Sequence, residues 1–392
     1  MTGNRMLEGI RVIDMSGVVF GPYATFMLAE LGAEVIKVEG PGGDQMRHLG
    51  KPARTKGMSP TFVTVNQGKK SVVLDLKSEG DREMMRDLLR TADIFIHNVR
   101  GDAIRRLKLD YENVKLLNPD LIYVHCVGFG SDGPYSGLPA YDDVIQAASG
   151  ATSLSQRVSG GPPTYLPSLI GDKVSGLYAA NAALAAVIHR LRTGEGQLVE
   201  VPMFEAFTQF MLLEHLGGKL FDPPNAPVCY ARQVDPDRQP FPTANGFISI
   251  VPYVDAAWPK LFQLLGDAGI LEFEEMTTAS GRYKNIDRLY REVARLTPQK
   301  TTEEWMALLK AADIPAMIAR DIDDILDDPH LSVTGYFQRL EHPSEGGYYA
   351  TSRPVRYQAW PDRIRSPAPL LGEHNDEVLR DLSAAKQVSD AL

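Results

Sequence analysis

The chain has 392 residues, 44% of them hydrophobic and 23% charged, and carries a net charge of -9 at pH 7. That length holds two domains and a large core, while the acidic balance argues against non-specific nucleic-acid binding, which needs an electropositive face. No apolar run reaches the roughly eighteen residues of a membrane span, the start MTGNRMLEGIRVIDM lacks a signal-peptide pattern, and two cysteines, Cys126 and Cys229, make neither a disulfide framework nor a zinc site; the expectation is a cytoplasmic protein with reduced thiols and no membrane partner.

In chain order, IRVIDM (10–15) reads as a strand and GVVFGP as the turn after it. A helix follows over 23–31, closed by Gly32. EVIKVE (34–39) is the next strand, GPGGD a turn, and further strands fall at 71–76, 93–98 and 121–127. Helices at 81–90 and 111–117 separate them. This alternation predicts an α/β chain with a doubly wound, Rossmann-like parallel sheet. Positive charge is uneven. Residues 69–108 hold ten Lys and Arg, among them Lys69 and Lys70. Arg82, Arg86 and Arg90 read as a solvated helix face, whereas Lys77, Arg100 and Arg106 stand beside strand ends, where α/β sheets bind ligands.

PSLIGDKVSG (167–176) breaks at Gly171 and starts a helix at Asp172. Apolar Leu177, Leu184, Ile188 and Leu191 recur at helical spacing, and YAANAALAAV favours a long buried helix that ends near Arg192. A strand at 198–201 and a helix at 203–216 follow. The large domain is therefore placed at 1–220, a proline-rich linker at 221–242, a smaller α+β domain at 243–330, and a return to the large domain at 331–392. In the small domain GFISIV and IPAMIA read as strands, and 256–265 and 302–311 as helices. An irregular stretch, LEHPSEGGYYATSRPVRYQAWPDRIRSPAP, leads to a last helix at 375–382.

The turn Gly17-Val18-Val19-Phe20-Gly21 lacks the G-x-G-x-x-G spacing that admits a pyrophosphate, and Phe20 and Pro22 crowd it. There is no P-loop, no G-x-S-x-G elbow and no histidine pair at metal spacing, so no metal is expected. His97, His125 and His189 occur singly and read as packed or hydrogen-bonded side chains. Cys126 lies in an apolar strand and reads as structural. Asp172 remains. As an N-cap it would only start a helix. As a nucleophile, a carboxylate kept ionised by the helix end would attack an activated acyl group and conserve its energy in a mixed anhydride.

Several segments, in order, carry a resemblance. They are LEGIRVIDMSGVVFGPYATFMLAELGAEVIKVEGPGGD, NQGKKSVVLDLKSEG, HNVRGDAIRRLKLDYENVKLLNPDLIYVHCVGFGSDGPY, TGEGQLVEVPMFEA and PAPLLGEHNDEVL. Over nearly the whole chain the sequence resembles the family III CoA-transferases, the group of formyl-CoA:oxalate and carnitine CoA-transferases, to which α-methylacyl-CoA racemases are related. The resemblance implies an interlocked homodimer, CoA and acyl-CoA as substrates, a carboxylic acid acceptor and no tightly bound cofactor. It implies CoA-binding positions at Val19, Phe20, Leu74, Lys77, Asn98, Val99, Arg106, Val127, Gly128, Phe129 and Gly130. It implies Asp172 as the catalytic nucleophile, passing through an aspartyl anhydride and an aspartyl-CoA thioester.

Three features depart from the family pattern. Gly40 stands where some members place an arginine, Gly101 and Asp102 replace a Pro-Gly pair, and RQPFPTANG replaces a run of glycines, which speaks against oxalate or formate. Tyr141 precedes Asp142 where racemases carry a histidine. Tyrosine, with a reference pKa near 10, is a poor base, so Tyr141 is read as packing or orienting substrate and transfer is favoured over racemisation. A non-catalytic acyl-CoA binding protein is the third reading, and the presence of Asp172 speaks against it.

Overall fold

The computed structural model describes residues 5–50, 54–358, 360 and 365–389. Its largest sheet has six strands: β1 (Arg11–Met15), β2 (Glu34–Glu39), β3 (Lys69–Val73), β4 (Ile94–His97), β5 (Ile122–Val127) and β6 (Leu198–Pro202). They run in the order β3-β2-β1-β4-β5-β6, all pairs parallel. This is the doubly wound arrangement expected from the alternation. Central strands such as IFIH of β4 are buried along their whole length, as strands covered on both faces must be. The strand order reverses between β1 and β4, so the ligand crevice of this fold lies beyond their carboxyl ends.

The helices of this part of the chain are α1 (Phe20–Glu30), α2 (Pro60–Val65), α3 (Glu79–Arg90), α4 (Gly101–Arg106), α5 (Tyr111–Leu117), α6 (Asp142–Ala148), α7 (Ala151–Ser159), α8 (Ile170–Thr193) and α9 (Met203–His215). On α3, Arg82, Arg86 and Arg90 pair with Glu79, Glu83 and Asp87 in a solvated row, as the sequence suggests. Helix α1 begins three residues earlier than the glycine and proline of GVVFGP imply. Proline is well placed there, because the first helical turn has no use for its missing N–H.

Two compact units divide the chain. One takes Met1–Gly150, Leu166–Met211 and Val333–Leu392; the other takes Ala151–Tyr165 and Leu212–Ser332, so the residues read as a linker, 221–242, fall inside it. The second unit pairs β7 (Phe241–Pro242), β8 (Phe247–Ile250) and β9 (Ala316–Ile318) antiparallel. Around them lie α10 (Ala257–Leu265), α11 (Ala279–Lys284), α12 (Ile286–Leu296) and α13 (Thr302–Ala311), with Trp258, Phe262, Leu289 and Trp305 in the core. Helix α13 starts on a capping box between Thr301 and Glu304.

Beyond α14 (Pro329–Val333), the stretch expected to be irregular contains a hairpin, β10 (Phe337–His342) with β11 (Gly346–Thr351). Its glycine pair and neighbouring prolines mask the strand alternation. The last helix, α15 (Asn375–Ser389), is tied to β3: Asn375 Oδ1 accepts the Val73 N–H at 2.9 Å, and Val378 and Leu382 enter the core.

Helix α8 corrects a second expectation. Its small residues, Ala179, Ala183 and Ala186, face the core with Val174 and Val187. The large apolar residues face outward: Leu177 and Ile188 are 50% exposed and Leu191 is 74% exposed. Small side chains win the inner face because α8 lies close against α1. A Cβ at Gly176 would sit 2.9 Å from the Tyr23 ring and 3.0 Å from the Phe20 carbonyl oxygen.

Beneath the β1 turn lies a buried set of charges. Asp14, Lys37 and Lys69 are fully buried on the three neighbouring strands β1, β2 and β3. Asp14 Oδ2 accepts from Lys69 Nζ at 3.1 Å and from Thr25 Oγ1 at 2.6 Å, while its Oδ1 accepts the Ser16 N–H at 2.9 Å. Lys37 Nζ reaches the Ser16 carbonyl at 2.7 Å and Asp44 Oδ2 at 2.9 Å. Glu39 takes Arg47 in a two-point pair, both bonds 2.7 Å. Lys69, which reads as part of a basic surface in the sequence, is spent here; Lys70 pairs with Glu34 and Glu377. Burial works against the Asp14 charge, yet Lys69, Lys37 and the Ser16 and Thr25 hydroxyls outweigh it and hold the carboxyl down at about 2.

Asp14→Asn leaves the buried Lys69 ammonium without its carboxylate and Lys37 with Asp44 alone, and urea unfolding at pH 7 is expected to show a loss of about 3–5 kcal/mol. The contribution of Asp14 is present above its unfolded value near 3.8 and disappears as pH falls towards 2. A loss under about 1 kcal/mol would mean that the pair does not hold this part of the fold.

Candidate active site

Asp172 is the third residue of α8, not its cap. The N-cap is Leu169, whose side chain cannot accept a hydrogen bond. The orphan N–H of Asp172 is instead accepted by Asp142 Oδ1 at 3.0 Å. Asp142 is the first residue of α6 and is itself buried; its Oδ2 accepts from Gln146 Nε2 at 2.6 Å. Gln146 Oε1 accepts the Leu166 N–H at 2.8 Å, and its Nε2 also reaches the Ser168 carbonyl at 3.1 Å. The chain entering α8 is thus held from α6.

Asp172 is buried, 5% exposed. Burial, and then the nearby charge of Asp142, push its carboxyl up to about 7; the backbone N–H of Phe20 at the start of α1 pulls the other way. The expectation that a helix end keeps this group ionised is therefore corrected. One helix terminus contributes a partial charge, which is less than desolvation and a second carboxylate together. At neutral pH Asp172 sits close to its midpoint.

The turn that brings Phe20 to Asp172 is strained. Val18 has φ +68°, unusual for a β-branched residue. Its N–H is accepted by Asp44 Oδ1 at 3.0 Å. Asn98, just past β4, clamps the preceding residue on both sides, accepting the Gly17 N–H at 3.0 Å and donating to the Gly17 carbonyl at 2.9 Å. Asp44 went unnoticed in the sequence, where GPGGD signals only a turn.

A cavity of about 830 Å³ opens at the carboxyl ends of β1, β4 and β5. Of the positions singled out from the sequence, Asn98, Val99, Arg106, Val127, Gly128, Phe129 and Tyr141 line it, with Arg100 and Arg105 beside them. Arg105 is engaged by Asp102. Leu74 and Lys77 line a second cavity of about 590 Å³ beyond β2 and β3, together with Gly40. Val19, Phe20, Gly130 and Asp172 line neither cavity. Val19, Phe20 and Leu74 are buried, and the Gly130 N–H is taken by Glu205 Oε1 at 3.0 Å. The Phe129 ring packs edge-on to Tyr135 and against Phe204. A Cβ at Gly128 would fall 2.3 Å from that of Ala140, so glycine there lets the segment carrying Tyr141 cross the end of β5.

His97 and His125 are packed and hydrogen-bonded, as the sequence suggests, whereas His189 on α8 is exposed. His97 Nδ1 accepts the Val99 N–H at 3.2 Å, which leaves Nε2 to donate to the Tyr123 hydroxyl at 2.7 Å. His125 lines the larger cavity, stacks on His97 with ring centres 4.5 Å apart and donates to the Val99 carbonyl at 3.1 Å. Burial lowers the proton affinity of both rings. Burial likewise pushes the Cys126 thiol up. Among the described residues no group of three or more His, Cys, Asp or Glu could hold a metal ion, and no helix is long and apolar enough to cross a membrane.

Residues 7–375 match the model of CoA-transferase family III. The chain belongs to this family. It is 31% identical over 389 residues to a succinate–glutarate CoA-transferase of Agrobacterium fabrum, covering 98% of this chain and 97% of that protein. It is 31% identical over 387 residues to a succinyl-CoA:mesaconate CoA-transferase of Haloarcula hispanica, covering 95% of each. The crystal structure of a CAIB/BAIF family protein from Brucella suis superposes with a TM-score of 0.83 at 28% identity, over 97% of this chain and all of that one. Family III membership thus extends across both units of the fold.

The position of Asp172 in this family III chain has a measurable cost. Its unfolded carboxyl releases a proton near 3.8 and the folded one near 7, so stability falls as pH rises between those values and is level above them. Asp172→Asn removes the buried charge. Denaturant unfolding is expected to find the variant more stable than the parent by a few kcal/mol at pH 8, with the advantage gone at pH 4. Equal stability at both pH values would mean that Asp172 is solvated.

Proposed function

We propose that this protein transfers CoA from an acyl-CoA thioester to a free carboxylic acid, with Asp172 as the group that is transiently acylated. The observation that carries the reading is the place of Asp172. The two groups that hold it, Asp142 and the Phe20 N–H, each lie within two residues of the lining of the basic cavity at the sheet's carboxyl end, through Tyr141 and Val18. CoA is a polyanion. Arg100 and Arg106 on one cavity and Lys77 on the other supply the complementary charge. Tyr141, 57% exposed at the rim, is placed to orient the acid.

An Asp172 oxygen forms a bond to the thioester carbonyl carbon, and the C–S bond breaks to release CoA thiolate, leaving an anhydride. The thiolate attacks the aspartyl carbonyl, the first acid leaves as carboxylate, and an aspartyl-CoA thioester remains. The acceptor carboxylate attacks that thioester, and the same two exchanges run in reverse order. The relatives act on succinate, glutarate and mesaconate by name, which directs the first screen to short dicarboxylic acids.

Mass-spectrometric assay of CoA esters against free acids is expected to find an exchanging pair. Asp172→Ala should abolish exchange while CoA binding persists, and hydroxylamine should trap the acylated parent at Asp172. Exchange that survives in Asp172→Ala would end the proposal. The high proton affinity of Asp172 also suits α-proton exchange, the racemase reading. Deuterium entering the α position of a 2-methylacyl-CoA, with no CoA transfer to any acid, would decide for it.

The outward apolar stripe of α8 supports the homodimer that the resemblance implies, since Leu177, Ile188 and Leu191 form one face too greasy for a helix in water. Ile188→Asp with Leu191→Lys is expected to lower the mass seen by light scattering from twice the chain's 43.2 kDa towards that value. A parent that is already monomeric would remove this part of the proposal.

A further inference from the structure

Asp142 and Asp172 come together as two buried carboxylates, 5% exposed or less, with no ion pair to either among the described residues. The oxygens of Asp142 are met by neutral donors, the Asp172 N–H and the Gln146 amide. The spacing is tight: a Cβ at Gly171 would lie 3.2 Å from Asp142 Oδ1. Helix α8 packs on α1, α6, β5 and β6. Of the titratable groups on those elements, Tyr23 and Glu30 on α1, Asp142 and Asp143 on α6, Tyr123, His125 and Cys126 on β5 and Glu200 on β6, it is Asp142 that acts on Asp172.

We infer that Asp142, held by Gln146, is a positioning residue for the reaction: it anchors the first turn of α8, and its charge makes the ionised Asp172 a less comfortable ground state and a stronger nucleophile than a lone aspartate. The inference rests on the transfer reading above. When the Asp172 oxygen bonds to the thioester carbon and the C–S bond breaks, the negative charge leaves Asp172 and departs on the CoA sulfur. Acylation therefore removes the like-charge repulsion inside the site. A destabilisation present before the step and absent after it lowers the barrier, whereas one that persists does not. Asp142 is not itself consumed and touches no reacting atom, since Oδ1 is turned to the Asp172 backbone and Oδ2 to Gln146.

The test is the pH profile of kcat/KM for the acyl-CoA in the parent and in Asp142→Asn, whose side-chain oxygen still accepts the Asp172 N–H. The parent's acid limb should have its midpoint near 7. In the variant the limb should move down by at least about one unit, and the plateau rate should fall roughly tenfold, from the Brønsted dependence on lost basicity. A purely structural anchor would lower activity with the limb unmoved, and that result would overturn the inference. The second measurement needs no variant of Asp142 and no turnover. Infrared titration of the 13C-aspartate-labelled parent, minus Asp172→Asn, should show a carboxyl still protonated at pH 6; a group fully ionised at pH 5 would overturn the inference. If no acid and acyl-CoA pair exchanges, the transfer reading fails, while the infrared result still decides the carboxylate pair.

Discussion

The ion pair between Asp14 and Lys69, with Lys37 beside it, is the constraint on which the rest depends. Three neighbouring strands each place a charged side chain in the core, where an apolar residue would normally pack. Their charges are fully committed, to one another and to Ser16, Thr25, Asn66 and Asp44. Such a set stabilises little compared with good packing, but losing one member is severe because the others stay buried. Its use here is positional. Lys37 holds the Ser16 carbonyl and Asp44, and Asp44 holds the Val18 N–H. A turn with a β-branched residue at φ +68° persists only where its surroundings leave it no alternative.

From that turn the influence passes to Asp172. The strained residue sets the direction of the first N–H groups of α1, and Phe20 presents one of them to Asp172. Gly176 lets α8 come close enough for this to happen. Asp172 thus lies between a donor that favours its charge and a carboxylate that opposes it, and desolvation decides the balance. Keeping this carboxylate buried and near its midpoint at neutral pH costs fold stability.

The sheet was legible because its strands are short apolar runs bounded by turn residues, and β1 to β5 with α3 and α5 fall within a few residues of where that pattern puts them. Asp172 was legible as the acid after a glycine at a strand-like break, and the charge near Arg100 and Arg106 as belonging to strand ends. Other features were closed to that kind of reading. Lys69 and Lys77 look alike in a row of cations, and only burial separates the structural one from the one facing a cavity. Asp142 lies thirty positions before Asp172, and nothing short of the packing of α6 against α8 joins them. The residue beside it, Tyr141, drew attention instead because side-chain chemistry is easier to read than position. The direction of Leu177, Ile188 and Leu191 was missed for a related reason: periodicity finds an apolar stripe but not what covers it.

The stacked imidazoles of His97 and His125 impose a condition on the whole rim. Each ring has one nitrogen donating, and burial disfavours a second proton on either, the more so for His97, which also faces His125 across 4.5 Å. An unfolded chain accepts both protons once the medium falls below the ordinary imidazole range near 6.5. Stability at the carboxyl ends of β4 and β5 therefore declines as the medium falls below that range, because the folded rings resist protons that the unfolded ones accept.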